Sequence, residues 1–246
     1  MKLTRILWMV AIACIGCAKE KSAPETKTAE TVQYSQTQEA EDIRQPEQFI
    51  PDGFRLFEQT DGDLNKDGLP DRVLIIKATN PDSIVPNRND EKVDRNRRGI
   101  LVLFNRKNGY VLAATNKTCF SSENEDGGVY YAPEMAATIK NGKLYIEYAH
   151  GRYGYWSYTF RYNGNDFDLI GYDSSDNHGP ITNSETSMNF LTHKKCVSVN
   201  INRDDPDADE KFEQHWTALE KLPPMQLSAI KDFDEISFAA YDPDEE

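Results

Sequence analysis

Oxygen-bearing side chains recur at alternate positions in one short stretch of this sequence, residues 61–71. Ca²⁺ prefers six to eight hard oxygen ligands at roughly 2.3–2.6 Å, and alternate side chains in a tight turn converge on one point. The glycine at position 68 permits the sharp bend that such a turn requires. The predicted ligands of this calcium site are the side chains of Asp63, Asn65, Asp67 and Asp71 and the backbone carbonyl of Leu69.

We expect the Ca²⁺ in this loop to have a structural role. Without a cation, the clustered carboxylates repel one another, and Asp61 adds one more negative charge beside them. A cation that binds only the folded turn therefore stabilises it. Acidic turns of Asp, Asn and Gly between strands also occur without any metal, and the sequence leaves that alternative open.

Two predicted strands position this loop. Residues 54–59 alternate apolar and polar side chains, which is typical of a half-buried strand. Residues 72–78 are rich in Val, Leu and Ile, as in a strand that is buried on both faces. The loop is therefore expected to connect one strand to the next.

Asn-Gly turn signals predict hairpins further along the chain. The primed turns of tight hairpins need positive φ at both central residues, which Asn and Gly tolerate best. The predicted hairpins pair residues 100–104 with 110–114, 137–139 with 144–148, and 155–162 with 167–172. The fold class is therefore mainly β, a single antiparallel domain of hairpins or a meander, blade-like or a sandwich, with little helix. We place it at residues 48–240, before an acidic tail at 241–246.

The C-terminal third is less regular. Residues 196–201 are predicted as a strand, residues 212–222 as a strand or a short helix, and residues 227–233 as a last helical turn. Earlier in the chain, Arg95, Arg97 and Arg98 form a basic cluster that is either an anion-binding patch or part of a solvated loop.

The N-terminal sequence predicts that the protein is exported. Residues 1–16 combine a basic start with a short apolar run and are expected to be a signal peptide. Cys17 follows a small residue, which resembles bacterial lipoprotein signals in which the cysteine receives a lipid such as palmitate. An ordinary signal peptide cleaved nearby is the alternative. Residues 17–47 are polar and are expected to be the lipid attachment site and a disordered tether.

Charge limits the partners of the predicted mature protein. Removing Lys2 and Arg5 with the signal changes the formal charge from −13 to −15. A polyanion of this size repels nucleic acid, so no nucleic-acid partner is expected. The expected location is the bacterial cell envelope, anchored in the outer membrane through the N-terminal lipid and facing the periplasm or the cell surface. An envelope protein or a glycan is the expected partner.

Two cysteines remain after Cys17. Cys119 and Cys196 would have an oxidising environment in an exported protein, and a disulfide between them is one of two predictions. The other is that both are free and buried, since sequence spacing does not establish bonding distance.

The loop at residues 63–71, followed by a hydrophobic strand, resembles the calcium loops of FG-GAP and VCBS-type repeats. Leu74 stands where EF-hand and dockerin loops need an acidic ligand, and only one good copy of the motif occurs, which disfavours a propeller. Residues 50–235 resemble a family of small exported bacterial proteins with no established activity. The other landmarks of that resemblance are residues 62–68, 127–130, 139–142, 156–162, 169–170 and 189–192. The resemblance implies the same calcium ligands and no catalytic residue.

An aromatic, glycine-rich stretch at residues 150–158 suggests a ligand platform. Aromatic rings there could stack on sugar rings, with polar side chains beside them. The proposed platform consists of His150, Arg152, Tyr153, Tyr155 and Trp156. Cross-strand packing is the competing interpretation, because aromatic residues favour sheets in any case.

No catalytic motif is evident. The four histidines lack zinc-ligand spacing, and no nucleophile elbow, P-loop or dinucleotide fingerprint occurs. The sequence thus favours an exported, calcium-stabilised β module that binds or scaffolds at the cell envelope. The alternative is a carbohydrate-active hydrolase, which needs only two suitably spaced carboxylates.

Overall fold

The computed structural model describes residues 42–126, 131–205 and 207–242. The predicted signal peptide, Cys17 and most of the predicted tether lie outside the described residues, as do residues 127–130 and the end of the acidic tail. Within the described residues, Arg44 is the first to pair, and it forms an isolated antiparallel bridge with Tyr110.

Antiparallel strands make up most of the described chain. They are β1 (Phe54–Gly62), β2 (Asp71–Ala78), β3 (Ile84–Pro86), β4 (Lys92–Asp94), β5 (Arg98–Asn105), β6 (Tyr110–Phe120), β7 (Glu134–Lys140), β8 (Lys143–Ala149), β9 (Gly154–Tyr162), β10 (Phe167–His178), β11 (Ile181–Asn189), β12 (Lys194–Asn200) and β13 (Phe212–Ala218). They form a four-stranded sheet, a seven-stranded sheet and a small two-stranded sheet. The mainly β, antiparallel fold class is thereby confirmed.

The seven-stranded sheet is a continuous meander. Its spatial order, β13-β12-β11-β10-β9-β8-β7, follows the chain, so every strand pairs with its sequence neighbours. The turn between β7 and β8 shows why the sequence folds locally in this way. Asn141 and Gly142 have φ values of 55° and 70°, the positive values that a primed hairpin turn requires. All three predicted hairpins are present in the structure.

The four-stranded sheet has the order β1-β2-β5-β6, and β3 with β4 forms a short hairpin between β2 and β5. The central strands β2 and β5 are buried on both faces. Val73 and Ile100 point into the core between the large sheets, whereas Leu74 and Leu101 pack under Phe49 on the other side. Each such side chain contributes about 1.5–3 kcal/mol to stability when it is fully buried.

The core between the two large sheets is completed by the C-terminal segment. Two 3-10 turns, Leu227–Ala229 and Phe233–Glu235, carry apolar side chains into it. Phe233 is 1% exposed and packs against Phe120 of β6 and Tyr158 of β9. The result is two packed sheets with an irregular third element along one side, which is a sandwich rather than a propeller blade.

The structure decides one ambiguous prediction and contains a strand that was not predicted. Residues 212–222, predicted as a strand or a helix, contain the strand β13. Strand β11 was not predicted, because its sequence is almost entirely polar, and it owes its conformation to pairing with β10 and β12 on both sides. The described residues contain no α-helix. None of their helical segments is long and apolar enough to cross a membrane.

Candidate functional site

The predicted calcium loop joins β1 to β2 at the junction of the two large sheets. Leu64 is 2% exposed and belongs to the core between the sheets. Gly62 lies directly against β7, since a Cβ added there would be 2.6 Å from the Cγ2 atom of Ile139. The conformation of this loop therefore affects how the two sheets pack.

Asp63 has one carboxylate oxygen bound within the loop and one without a partner. Its Oδ2 accepts a hydrogen bond from the backbone N–H of Gly68 at 3.0 Å, and Gly68 has the positive φ of 85° that this turn requires. Its Oδ1 is buried and has no hydrogen-bond partner. A buried carboxylate oxygen without a donor is costly, so this atom is the strongest local indication of a bound cation.

The next two predicted ligands hold the turn in register. Asn65 Oδ1 accepts the backbone N–H of Asp67 at 2.9 Å, and Asp67 Oδ1 accepts that of Leu69 at 2.8 Å. The amide of Asn65 also donates to Asp67 Oδ2 at 3.0 Å. Each of these side chains therefore accepts the backbone N–H of the residue two positions further along the chain, which is the geometry of an Asx turn.

Asp71, the last of the predicted ligands, is held by backbone hydrogen bonds from the loop and from β5. It is fully buried, and its Oδ2 accepts the backbone N–H groups of Leu64 and Asn65 at 2.8 and 3.2 Å. Its Oδ1 accepts the N–H of Asn105, at the end of β5, at 3.0 Å. Burial raises the pKa of Asp71, and these three hydrogen bonds oppose the rise. Asp71 thus fastens the loop to the neighbouring strand.

Asp61, expected as an outer carboxylate of the calcium site, pairs instead across the strands. Arg72 donates to Asp61 from Nε at 2.6 Å and from Nη2 at 3.1 Å. This bidentate contact joins β1 and β2 just before the loop begins.

The loop offers hard oxygens but does not by itself form a closed cage of acidic ligands. Among the described residues, no three His, Cys, Asp or Glu side chains converge in the geometry of a metal site. The predicted ligands in this loop are carboxylate, amide and backbone carbonyl oxygens, and Ca²⁺ accepts such a mixture. The unpartnered oxygen of Asp63 is the one feature of these side chains that is consistent with such an ion.

The structure divides the predicted aromatic platform into three places. His150, Arg152 and Tyr153 line one depression together with Tyr131. Residues 155 and 156 separate because successive side chains of a strand point to opposite faces of the sheet. The five residues therefore do not share one surface.

The two β9 aromatic residues of that platform have different surroundings. Tyr155 lies on the outer face of the seven-stranded sheet, in a shallow depression of about 270 Å³ that also contains the exposed Trp216. Burial, together with the nearby carboxylates of Glu185 and Asp173, raises the pKa of Tyr155. Trp156 points inward and stacks on Tyr148, with ring centroids 5.0 Å apart and planes 9° from parallel.

A second candidate site, which sequence reasoning missed, is a cavity of about 420 Å³ beside the core between the sheets. We call it the inter-sheet cavity. Aromatic side chains supply much of its wall: Tyr148, Trp156, Tyr158, Tyr172 and Phe233. Its polar lining includes Arg98, Ser121, Ser122, Glu125, Asp126 and Asp234. The lining residues come from distant parts of the chain, so no local motif reveals the cavity. Two residues that the sequence singled out, Arg98 of the basic cluster and Trp156 of the aromatic stretch, do line it.

The inter-sheet cavity contains two polar groups whose hydrogen-bonding capacity is incompletely used. Tyr148 is 4% exposed, and its hydroxyl oxygen is buried without a hydrogen-bond partner. Arg98 is also 4% exposed, and its Nε donates to the carbonyl of Ser121 at 2.8 Å. Among the described residues, Arg98 forms no ion pair with a carboxylate. Burial lowers the pKa of its guanidinium.

The other two arginines of the basic cluster form ion pairs. Arg95 binds Asp126 at 2.5 Å, and Arg97 binds Asp232 at 2.7 Å. The cluster is therefore neither a single patch nor a freely solvated loop, because each of its three side chains has a different environment.

The two cysteines of the described chain are free and buried, so the disulfide between them is not formed. Cys119 lies in β6 of the four-stranded sheet and Cys196 in β12 of the seven-stranded sheet. Burial raises the pKa of the Cys119 thiol well above its usual range, which makes it unreactive as a nucleophile.

Comparison with known proteins identified no relative of this chain. No protein-family model matches this sequence, and neither the curated proteins nor the solved structures yielded a match.

Proposed function

We propose that this chain is an exported, lipid-anchored binding or scaffold module of the bacterial cell envelope, and that Ca²⁺ stabilises its β domain. The resemblance of the loop to FG-GAP and VCBS calcium loops supports the metal. The signal-like N-terminus and Cys17 support export and anchoring, and the strongly acidic composition favours a cation over nucleic acid as a partner.

One observation carries the calcium proposal: Asp63 Oδ1 is buried and has no hydrogen-bond donor. The loop has already used the other oxygen of this carboxylate to hold Gly68. A cation beside Oδ1 would compensate the buried negative charge, and Asn65, Asp67 and the carbonyl of Leu69 would supply further oxygens. Asp71 would act mainly by holding the loop in place through its three backbone hydrogen bonds.

The loop position explains what the metal would do for the domain. The loop closes β1 onto β2, contacts β5 through Asn105 and touches β7 through Ile139. A cation that rigidifies the loop therefore holds three strands of one sheet and the edge of the other in register. This is a structural role, distinct from that of a sensor that exposes a new surface when it binds Ca²⁺.

The inter-sheet cavity favours binding over hydrolysis. The carboxylates in its lining are engaged: Asp126 with Arg95, Glu125 with the Ser122 hydroxyl at 2.7 Å, and Asp234 with the Ser121 hydroxyl. A glycosidase needs one carboxyl group that stays protonated and a second that acts as base or nucleophile. Fixed, hydrogen-bonded carboxylates are better suited to orienting a ligand.

Thermal unfolding of the soluble domain tests the calcium proposal. We expect the melting temperature to be higher in 1 mM Ca²⁺ than in EDTA, because a ligand that binds only the folded state stabilises it. Mg²⁺ at the same concentration should have a smaller effect, since it dehydrates reluctantly and requires stricter octahedral geometry. Equal melting temperatures in Ca²⁺ and EDTA would remove the metal from the proposal.

Metabolic labelling with palmitate tests the anchor independently. The full-length chain expressed in a Gram-negative host should incorporate label and fractionate with membranes, and Cys17→Ala should do neither. Labelling that persists in Cys17→Ala would contradict the predicted attachment site.

A further inference from the structure

We infer that the inter-sheet cavity is a binding site for a neutral saccharide of one or two sugar units. This inference deepens the proposed binding function and rests on it. It depends on three features of the cavity: an unpartnered buried hydroxyl, a mixture of donors and acceptors, and walls of aromatic rings.

The Tyr148 hydroxyl is the first feature. Tyr148 lines the cavity with a side chain that is 4% exposed, and its hydroxyl oxygen is itself buried and has no hydrogen-bond partner. Leaving a buried hydroxyl unsatisfied costs about 1–3 kcal/mol, so an isolated phenol oxygen of this kind normally faces a partner. Phenylalanine would fill the same space on β8 without that cost. A ligand hydroxyl would satisfy the group.

The second feature is the combination of a cation with hydrogen-bond acceptors. Arg98 brings a guanidinium with only donors, and Asp234 brings a carboxylate with only acceptors. Burial is the largest cause of the raised pKa of the Tyr148 hydroxyl; the Asp234 carboxylate raises this pKa further, and the Arg98 guanidinium lowers it. A sugar hydroxyl both donates and accepts, so neighbouring hydroxyls can bond to groups of both kinds.

The aromatic walls are the third feature. Trp156 is half-buried and stacks on Tyr148 through one face, while Tyr158 and Tyr172 lie nearby with ring centroids 5.3 Å apart. Such rings give a large apolar contact area at low cost in conformational entropy. The C–H face of a sugar ring matches this surface, and its hydroxyl edge matches the polar groups.

The charge of the lining argues against an anion. One arginine, Arg98, stands beside three carboxylates, those of Glu125, Asp126 and Asp234, so the lining is acidic on balance. An organic acid or a nucleotide would meet this negative charge, and a purely apolar ligand would leave Tyr148 unsatisfied. The volume of about 420 Å³ lies at the small end of the range of ligand sites, roughly 300–1,000 Å³, which suits one or two sugar rings.

Titration calorimetry of the full-length chain in 1 mM Ca²⁺ tests the inference with five probes: glucose, cellobiose, N-acetylglucosamine, its β-1,4-linked dimer, and benzoate as an anionic ring of similar size. At least one saccharide is expected to bind and benzoate is not. Tyr148→Phe keeps the ring and removes only the hydroxyl, so it should fold normally and bind that saccharide about tenfold more weakly. Tyr145→Phe, a half-buried position of the same strand β8 that does not line the cavity, is the matched control and should bind like the unchanged protein.

Three results would overturn the inference: no saccharide binding by the folded protein, equal affinity in Tyr148→Phe, or binding of benzoate in place of a sugar. They are separable from failure of the proposed function. A glycan that binds with unchanged affinity in Tyr148→Phe but is lost in Trp216→Ala would keep the binding module and move its site to the outer face. The melting temperatures in Ca²⁺ and EDTA report on the metal independently of any sugar.

Discussion

The backbone N–H of Gly68 donates to Oδ2 of Asp63 at 3.0 Å, and this contact leaves the other oxygen of the same carboxylate buried and unpartnered. The hydrogen bond fixes the side chain across the loop, so Oδ1 cannot turn to solvent without opening the turn. The two residues together create a negatively charged position at the junction of the sheets.

Asp63→Asn should lower stability in calcium but not in its absence. In EDTA the substitution removes a buried negative charge, so the melting temperature should stay the same or rise. In 1 mM Ca²⁺ it removes the proposed ligand, so the increase in melting temperature caused by calcium should be largely lost. Differential scanning calorimetry in the two buffers measures both effects. Asp207→Asn, an exposed acidic position in the loop before β13, is the charge-matched control and should keep the full increase. A calcium effect of equal size in Asp63→Asn would show that this carboxylate is not a ligand.

Asp71→Asn should destabilise the domain whether or not calcium is present. The carboxylate accepts three backbone N–H groups, and an amide would present an NH₂ group to at least one of these donors. Loss of a buried acceptor costs about 1–3 kcal/mol. Urea unfolding in EDTA should report a loss in this range, and a neutral result would contradict the assignment of Asp71 as the tie between the loop and β5.

Gly62→Ala should be destabilising, and Ile139→Gly, which removes both the Cγ2 and the Cβ atoms that the added methyl group would meet, should partly rescue it. An added Cβ at position 62 would lie 2.6 Å from Cγ2 of Ile139, so β1 or β7 must shift. Overpacking of this kind costs about 1–3 kcal/mol. In the double variant the clashing side chain is gone, so the two effects should not add. A double-mutant cycle by chemical denaturation measures the coupling, and strict additivity would mean that the loop and β7 are not packed as described.

Asp94 should contribute stability that is lost in acid. Burial alone would raise its pKa, but hydrogen bonds from the backbone and side chain of Asn96, together with the Lys77 ammonium 3.2 Å away, lower it below the usual value. A carboxyl group with a depressed pKa in the folded state stabilises the fold above its unfolded pKa of about 4 and loses that contribution as the pH falls through the folded value. Asp94→Asn should therefore lower stability at pH 7 and lose less of what remains between pH 5 and pH 3. Denaturation curves across that range provide the comparison, and parallel pH profiles for the two proteins would contradict the role of Asp94.

Local sequence signals predicted the parts of the fold that depend on local chemistry. Asn141-Gly142 predicted its hairpin because the turn requires positive φ at both positions, and the runs of Val, Leu and Ile predicted β2 and β5. Strand β11 escaped prediction because its residues have no apolar alternation and its pairing partners determine its conformation.

The candidate sites also combine features that the local sequence predicts with features that depend on the tertiary structure. The loop at residues 63–70 was predicted from spacing, but the role of Asp71 depends on Asn105, which lies 34 residues further along the chain. The sequence predicted that the aromatic stretch forms one surface. Successive side chains of a strand point to opposite faces, so Tyr155 and Trp156 lie on opposite faces of the sheet. The inter-sheet cavity combines residues from β5, β8, β9, β10 and the C-terminal segment, so only the tertiary structure reveals it.

Direct calcium binding tests the central claim most simply. Isothermal titration of Ca²⁺ into the EDTA-stripped and dialysed domain should give one site per chain, and the same titration of Asp63→Asn should show that site lost or greatly weakened. Absence of binding by the unchanged, folded domain, or equal binding by Asp63→Asn, would contradict the account.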